Sequence, residues 1–297
     1  MFKLVKLVPI RTNFHIMRHF RAILAATAIL MAAAVAIVAA NGIKYGIDFS
    51  GGILLEIKTD GPADVERMRE ELERFSPSIQ SLGESGDLVS IYLSQGDKDE
   101  SQITAELAEV KNALGDRVEY RNTQIVGPKV GSDLVKNGII AVLMSILAIS
   151  IYIGFRFELP MAMGSILSLT HDVVMALAMI SFAGFEFDLT TLASLLTLAG
   201  YSVNDTVVIY DRIRENVRKR KGRPMGETID DSINETFSRT MLTGMTTMFA
   251  IGAIYAFGGA TLRGFSAVML FGLVVGTYSS MLISTSMLML FSRRSEG

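Results

Sequence analysis

The chain has no cysteine and no tryptophan, and only six prolines and three histidines in 297 residues. Without cysteine there is no disulfide and no thiolate metal site, and the redox compartment stays open. His15, His19 and His171 are scattered and give no metal-ligand spacing. An excess of one charge is also missing: 28 Lys and Arg stand against 30 Asp and Glu, a net charge of −2. No general affinity for nucleic acid or for acidic partners follows from that balance. There is no P-loop, Rossmann fingerprint, nucleophile elbow or zinc motif. A metal and an organic cofactor are therefore not expected.

What is present is apolar sequence. Half of the residues are hydrophobic although a fifth are charged, which implies charge-poor spans separated by charge-rich segments. A bilayer core of about 30 Å needs roughly 20 apolar residues in a helix. Six runs qualify: Ala22–Ala40, Gly138–Phe155 and, approximately, Met161–Gly184, Leu189–Tyr210, Met241–Phe257 and Phe265–Phe291. Polar groups interrupt the third and fourth. The first run also has the basic n-region and small-residue end, at Ala40, of a signal peptide; both parts are long for one, so a retained span is expected.

Basic residues cluster in three places: Lys3, Lys6, Arg11, Arg18 and Arg21; Arg212, Arg214, Arg218, Lys219, Arg220, Lys221 and Arg223; and Arg293 with Arg294. Six spans with both termini inside put all three on the cytoplasmic face. The acidic GFEFD link after span three is then outside. So is the long insertion from Asn41 to Asn137.

That insertion is periodic. Ile53–Thr59 alternates like a strand, and Pro62–Phe75 reads as a helix with Val65, Met68 and Leu72 on one face. Ile79–Leu82 and Leu88–Leu93 read as strands around the turn GESGD. Ser101–Leu114 is a second helix with Ile103, Leu107, Val110 and Leu114 apolar, and Arg117–Val126 closes as a strand. The order βαββαβ predicts a ferredoxin-like α+β domain. It shows no catalytic cluster, so binding or leverage is the better expectation.

The stretch GYSVNDTVVIYDRIREN (Gly200–Asn216) places Asp205 inside an apolar run. A charge near mid-bilayer costs at least about 2.5–3.5 kcal/mol, and such residues usually face a bundle interior and mark an ion path. At about 1.5 Å per residue, Asp205 lies roughly 24 Å from the outer end of its span, in the inner third. A helix-end carboxylate reaching the inner surface is the plainer alternative. Asn204 points about 100° away from Asp205 and serves either to orient it or as packing glue. Tyr201, one turn before Asp205, is placed to donate to it or simply to pack. Arg239, at the inner end of span five, matches Asp205 in depth. An ionised Asp205 would pair with it and a protonated one would release it; the alternative is a surface anchor.

His171 and Asp172, near the middle of span three, read equally as a second relay site or as a structural hydrogen bond between helices. Ser168, Thr170 and Thr206 line a wet path or pack. Gly272, Gly276, Ser280 and Ser284 recur every four residues and allow close helix approach, most simply within the bundle. Met225, Ile229, Ile233 and Phe237 repeat at i+4, like a helix lying on the membrane, and the basic run Arg212–Arg223 suits anionic lipid.

Four motifs then stand together. GIDFSGG (Gly46–Gly52), LTHDVV (Leu169–Val174), GYSVNDTVVIYDRIREN and SRTMLTGMTT (Ser238–Thr247) resemble, in order, those of the SecF branch of the SecD/SecF family of protein-export membrane proteins. The family is similar to RND-type transporters, and the chain covers one half of such a bundle. The resemblance implies work with the Sec translocon SecYEG and a SecD-type partner, on unfolded exported polypeptide. It also implies coupling to the proton-motive force through Asp205, with Arg239 second. In the GIDFSGG motif, Gly46, Asp48, Phe49, Gly51 and Gly52 read as a structural turn where the chain leaves the span. A small-molecule RND exporter would need larger outer domains. A passive scaffold would tolerate Asp205→Asn with full export.

Overall fold

The computed structural model describes residues 12–82, 86–94 and 100–295. Lys3, Lys6, Arg11 and residues 83–85 of the expected turn lie outside them, as do the side chains of Arg293 and Arg294. The chain forms two compact units. One holds Met1–Lys44, Val142–Glu186 and Thr190–Gly297; the other holds Tyr45–Ala141 with Phe187–Leu189.

The smaller unit is a four-stranded antiparallel sheet with two helices. Its elements are β1 (Gly52–Thr59), α2 (Val65–Glu71), β2 (Ser78–Leu82), β3 (Leu88–Ser94), α3 (Glu100–Leu114) and β4 (Val118–Val126); α1 (Phe20–Asn41) precedes them in the other unit. The strand order is β2-β3-β1-β4, the ferredoxin-like arrangement that βαββαβ connectivity implies. Alternation in β1 sends Ile53, Leu55 and Ile57 to one face, where they bury fully against Leu72, Ile103, Val110 and Leu114. Each such side chain contributes about 1.5–3 kcal/mol. Helix α2 starts where the Asp64 carboxylate accepts from Arg67 N at 3.1 Å, a side-chain N-cap. The helix expected to reach Phe75 yields to a 3₁₀ turn at Glu73–Phe75. Ser76, with φ 48°, and Pro77 then prevent continuation.

The GIDFSGG segment belongs to this unit. Gly46 N donates to Phe187 O at 2.9 Å, Phe49 stacks on Phe187 at 5.7 Å between centroids, and Asp48 Oδ2 accepts from Leu189 N at 2.9 Å. Gly51 and Gly52 have φ of 69° and 127°, values that other residues rarely adopt. Tyr92 donates to the Gly51 carbonyl at 2.8 Å.

The larger unit is helical: α1, most of α4 (Pro128–Arg156), α5 (Leu159–Ala183), α6 (Leu189–Lys219), α7 (Met225–Phe257), and a last span made of α8 (Gly259–Tyr278), a π-helical turn (Ser279–Ile283) and α9 (Ser284–Ser295). Among the described residues, six helices are long and apolar enough to cross a membrane. Phe155, Phe182, Phe249 and Phe257 are exposed on their outsides, as lipid-facing residues are.

The expected inner loop, residues 211–240, is helical instead. Helix α6 runs on to Lys219 and α7 starts at Met225, so only a short link separates them. The i+4 apolar repeat marked the start of α7, but charged residues concealed the continuation of α6, because much of their pairing is across the hairpin. Arg212 bonds Glu235 and Glu215, each at 2.6 Å, Arg223 bonds Asp231 and Glu227, and Arg220 bonds Asp231. The basic run is thus largely neutralised internally; Arg218 and Lys221 are left without an ion pair among the described residues. Ile229 and Ile233 are fully buried in the bundle core with Met17, Phe20, Ile209 and Ile213. That face packs on protein and not on a membrane surface.

Candidate functional site

Spans α5, α6 and the last one meet along small and hydroxylated residues. A Cβ at Gly276 would come within 3.2 Å of Ser202 Cβ, and one at Gly272 within 2.5 Å of Leu198. A Cβ at Gly164 would meet Tyr210 Oη at 2.5 Å. Glycine at these places lets the helix backbones approach closely. The small-residue stripe read from the sequence therefore packs within the bundle, against α6.

Two carboxylates lie buried on this seam. Asp172 is fully buried and Asp205 is 3% exposed. Around Asp172 the polar groups converge. Ser202 Oγ donates to its Oδ2 at 2.5 Å, Ser279 Oγ donates to the same atom at 2.8 Å, and His171 Nδ1 lies 3.0 Å from its Oδ1. The other ring nitrogen of His171 is 2.7 Å from the Tyr278 hydroxyl. A seam of hydroxyls continues from there: Ser280 Oγ donates to Ser202 O at 3.0 Å, Thr206 Oγ1 donates to Ser280 Oγ at 3.0 Å, and Tyr210 donates to Ser284 O at 3.0 Å.

Asp205 is the opposite case. Its Oδ2 is buried with no hydrogen-bond partner, and so are the Tyr201 hydroxyl and Thr240 Oγ1. Unsatisfied buried polar atoms are rare and ask for a reason. Arg239, on α7, forms no ion pair with Asp205 among the described residues. Arg239 itself is exposed on this chain, so the expected clamp is open in this structure. Tyr201 does not donate to Asp205; its hydroxyl lies near Gly244 of α7. Asn204 is exposed and turned away from Asp205, as its 100° offset requires, and Thr170, likewise exposed, lines no buried path. Buried Ser168 has an unpartnered hydroxyl.

The sequence reading singled out His171, Asp172, Asp205, Thr206 and Ser280, and the structure brings all but Asp205 into one bonded network. It passed over Ser202, Ser279, Tyr278 and Tyr210. Ser202 and Tyr210 share a helical face with Thr206, a spacing that was there to be read. The π-helical turn left no such trace. Among the described residues no group of acidic, His or Cys side chains forms a metal site.

Comparison with known proteins gives a consistent set of likenesses. The profile of "Protein export membrane protein SecD/SecF, C-terminal" matches residues 106–294, and that of the "SecD/SecF GG Motif" matches residues 36–63. The chain is 39% identical over 297 residues to the protein translocase subunit SecF of Rickettsia prowazekii (strain Madrid E), covering 98% of this chain and 94% of that one. It is 42% identical over 258 residues to the SecF of Rickettsia rickettsii (strain Sheila Smith), covering 84% and 83%. Among solved structures it resembles SecDF, a translocon-associated membrane protein from Thermus thermophilus, with a TM-score of 0.84 and 34% identity over 99% of this chain. A SecDF structure in a super-membrane-facing form gives a TM-score of 0.70 at 34% identity over 98% of this chain. The chain spans 40% of the length of each SecDF chain.

Proposed function

The chain belongs to the SecD/SecF family of protein-export membrane proteins, and from that premise we propose that it is the SecF-type subunit of a proton-driven export machine. Its partner is a SecD-type half, its neighbour is the SecYEG channel, and its load is an unfolded polypeptide emerging outside the cytoplasmic membrane. Its work is transport and not covalent catalysis.

The observation that carries this reading is the Asp205 carboxylate, buried within an apolar helix with one oxygen unpartnered, while Arg239 on α7 is not ion-paired with it. A carboxylate in that position has two usable states. Ionised, it draws Arg239 and ties α6 to α7. Protonated, it gives up that pairing and Arg239 turns elsewhere. Proton entry from one side and release to the other then alternates the helix contacts. The membrane field supplies about 2.3 kcal/mol per charge per 100 mV, so one or a few protons suffice for a conformational change of several kcal/mol. The outer α+β unit holds or pulls the emerging chain.

The test is proton-driven export into vesicles with the wild-type chain, Asp205→Asn and Arg239→Met, beside a pull-down of the SecD-type partner. Loss of gradient-dependent export with the complex intact supports the reading. Full export by Asp205→Asn would leave only a scaffold.

A further inference from the structure

We propose that Asp172 is a positioning residue: through Ser202 and Ser279 it fixes the rotation of α6 against the last span, and so fixes where the Asp205 carboxylate points. This rests on Asp205 carrying the proton. It assigns to Asp172 and His171 a role different from carrying one.

The bonding around Asp172 is closed. Two hydroxyls donate to Oδ2 and His171 Nδ1 faces Oδ1. With the ring proton on Nδ1, directed at the carboxylate, His171 Nε2 is left to accept from Tyr278. Every donor then has an acceptor and the carboxylate keeps no bare oxygen. Asp205 has one. A relay site must take up and give up a proton in turn, and a carboxylate whose two oxygens both already accept hydrogen bonds is built to stay as it is.

The same bonds reach Asp205 through α6. Ser202 precedes Asp205 by three residues and Thr206 follows it by one. At about 100° per residue, Ser202 and Thr206 share a face and Asp205 lies at its edge. That face is held at both positions: Ser202 by Asp172 and by Ser280 on its carbonyl, Thr206 by Ser280. Turning α6 enough to re-aim Asp205 breaks these bonds.

The π-helical turn fits this role. Tyr278 and Ser279 reach His171 and Asp172 of α5, while Ser280, next in sequence, reaches α6. Three consecutive side chains serve two neighbouring helices, and a widened turn brings them closer in angle than an α-helix does. Gly276 leaves the room: a Cβ there would sit 3.2 Å from Ser202 Cβ and 3.7 Å from Asp172 Oδ2. The titratable groups facing the two acids are His171 and Tyr278 at Asp172, and Arg239 from α7 with Tyr201 on α6 itself near Asp205. Tyr210 is engaged further along, at Ser284.

The experiment measures gradient-driven export in vesicles across a pH series at fixed membrane potential, with the full chain and its SecD-type partner. Ser202→Ala and Ser279→Ala remove no titratable group. Each is expected to lower the maximal rate about two- to tenfold, as for one hydrogen bond, and to move the pH of half-maximal export by at least about half a unit. Asp172→Asn is expected to do the same more strongly while keeping pH-dependent export. The proposal is overturned if both serine variants match the wild type, whether Asp172→Asn is silent or abolishes export at every pH. Full export by Asp205→Asn sinks the proton-carrier reading instead, so the two failures are told apart.

Discussion

Asp172 and Asp205 are both buried acids, on adjacent spans, with opposite surroundings: Oδ2 of Asp172 receives two hydroxyl donors, whereas Oδ2 of Asp205 receives none. One acid is held and the other is left available. The first prediction follows from that contrast. Asp205→Asn keeps the size of the side chain and removes its charge cycle. It is expected to reduce gradient-stimulated export to the rate seen without a gradient, a fall of at least about tenfold, equivalent to about 1.4 kcal/mol in the activation free energy. Arg239→Met is expected to fall in the same direction, with Arg239→Lys intermediate because the charge survives without the guanidinium fork. Vesicle export assays with and without a proton gradient check this. Equal gradient responses for wild type and Asp205→Asn would contradict it.

Close packing of the last span on α6 makes a second prediction. A Cβ at Gly272 would lie 2.5 Å, 2.6 Å and 3.0 Å from three carbons of the Leu198 side chain, which is fully buried. Gly272→Ala is expected to destabilise the bundle by about 1–3 kcal/mol, the usual cost of overpacking. The obstruction is one side chain, so Leu198→Ala in the same chain should recover part of the loss. Thermal unfolding in detergent of the two single variants and the double variant measures the coupling. Strict additivity would show that the helices do not meet at this pair.

Much of this architecture was legible because two periodicities are written plainly. Runs of about 20 apolar residues marked all six spans, and alternation such as that of Ile53, Leu55 and Ile57 marked the sheet. Buried acids were legible too, since Asp172 and Asp205 interrupt apolar sequence, where a carboxylate is costly. What escaped was cooperative. Ser202 and Ser279 are ordinary packing residues until Asp172 stands between them, and that depends on how three helices meet. The α6–α7 hairpin escaped in part for a related reason. Arg212, Arg220 and Arg223 were matched to anionic lipid, but their partners, Glu235 and Asp231, sit on the next helix. The i+4 repeat of Ile229 and Ile233 was read correctly as an apolar face and assigned to the wrong neighbour, because periodicity gives a face but not what covers it.

The α+β unit yields a pH prediction. Arg117 bonds both carboxylate oxygens of Glu71, at 3.2 Å and 3.1 Å, and Arg67 adds a third contact at 3.0 Å. The Arg117 hydrogen bonds, which outweigh a small cost of burial, hold Glu71 below its ordinary value of 4.5. A carboxylate depressed in the folded state contributes stability above its unfolded value and loses it as pH falls through the folded one. The pair is largely exposed, so the contribution is small, under about 1 kcal/mol. Amide hydrogen exchange in α2 should therefore accelerate as pH drops below about 4.5 relative to an unpaired helix, after correction for intrinsic rates. Glu71→Gln should remove that extra dependence; if it persists in the variant, the pair is not its source.

The final prediction concerns the first turn of α6. Asp48 Oδ2 accepts from Leu189 N, one of the amides that a helix start leaves without an internal partner. A carboxylate there satisfies the donor and opposes the positive end of the helix dipole. Asp48→Ala leaves that amide without its partner and is expected to cost about 1–3 kcal/mol locally, while Asp48→Asn keeps a carbonyl acceptor and loses less. Gly46→Ala tests the same place by sterics, since its Cβ would fall 2.9 Å from Asp188 Cβ, a short side chain that cannot swing aside. Hydrogen exchange at residues 189–192 of the full chain should rise in the order wild type, Asp48→Asn, Asp48→Ala, with exchange in β1 and β3 unchanged. Uniform loss of protection across the sheet would mean that Asp48 supports the fold of the α+β unit as a whole. A change confined to the helix start assigns it to the amide of Leu189.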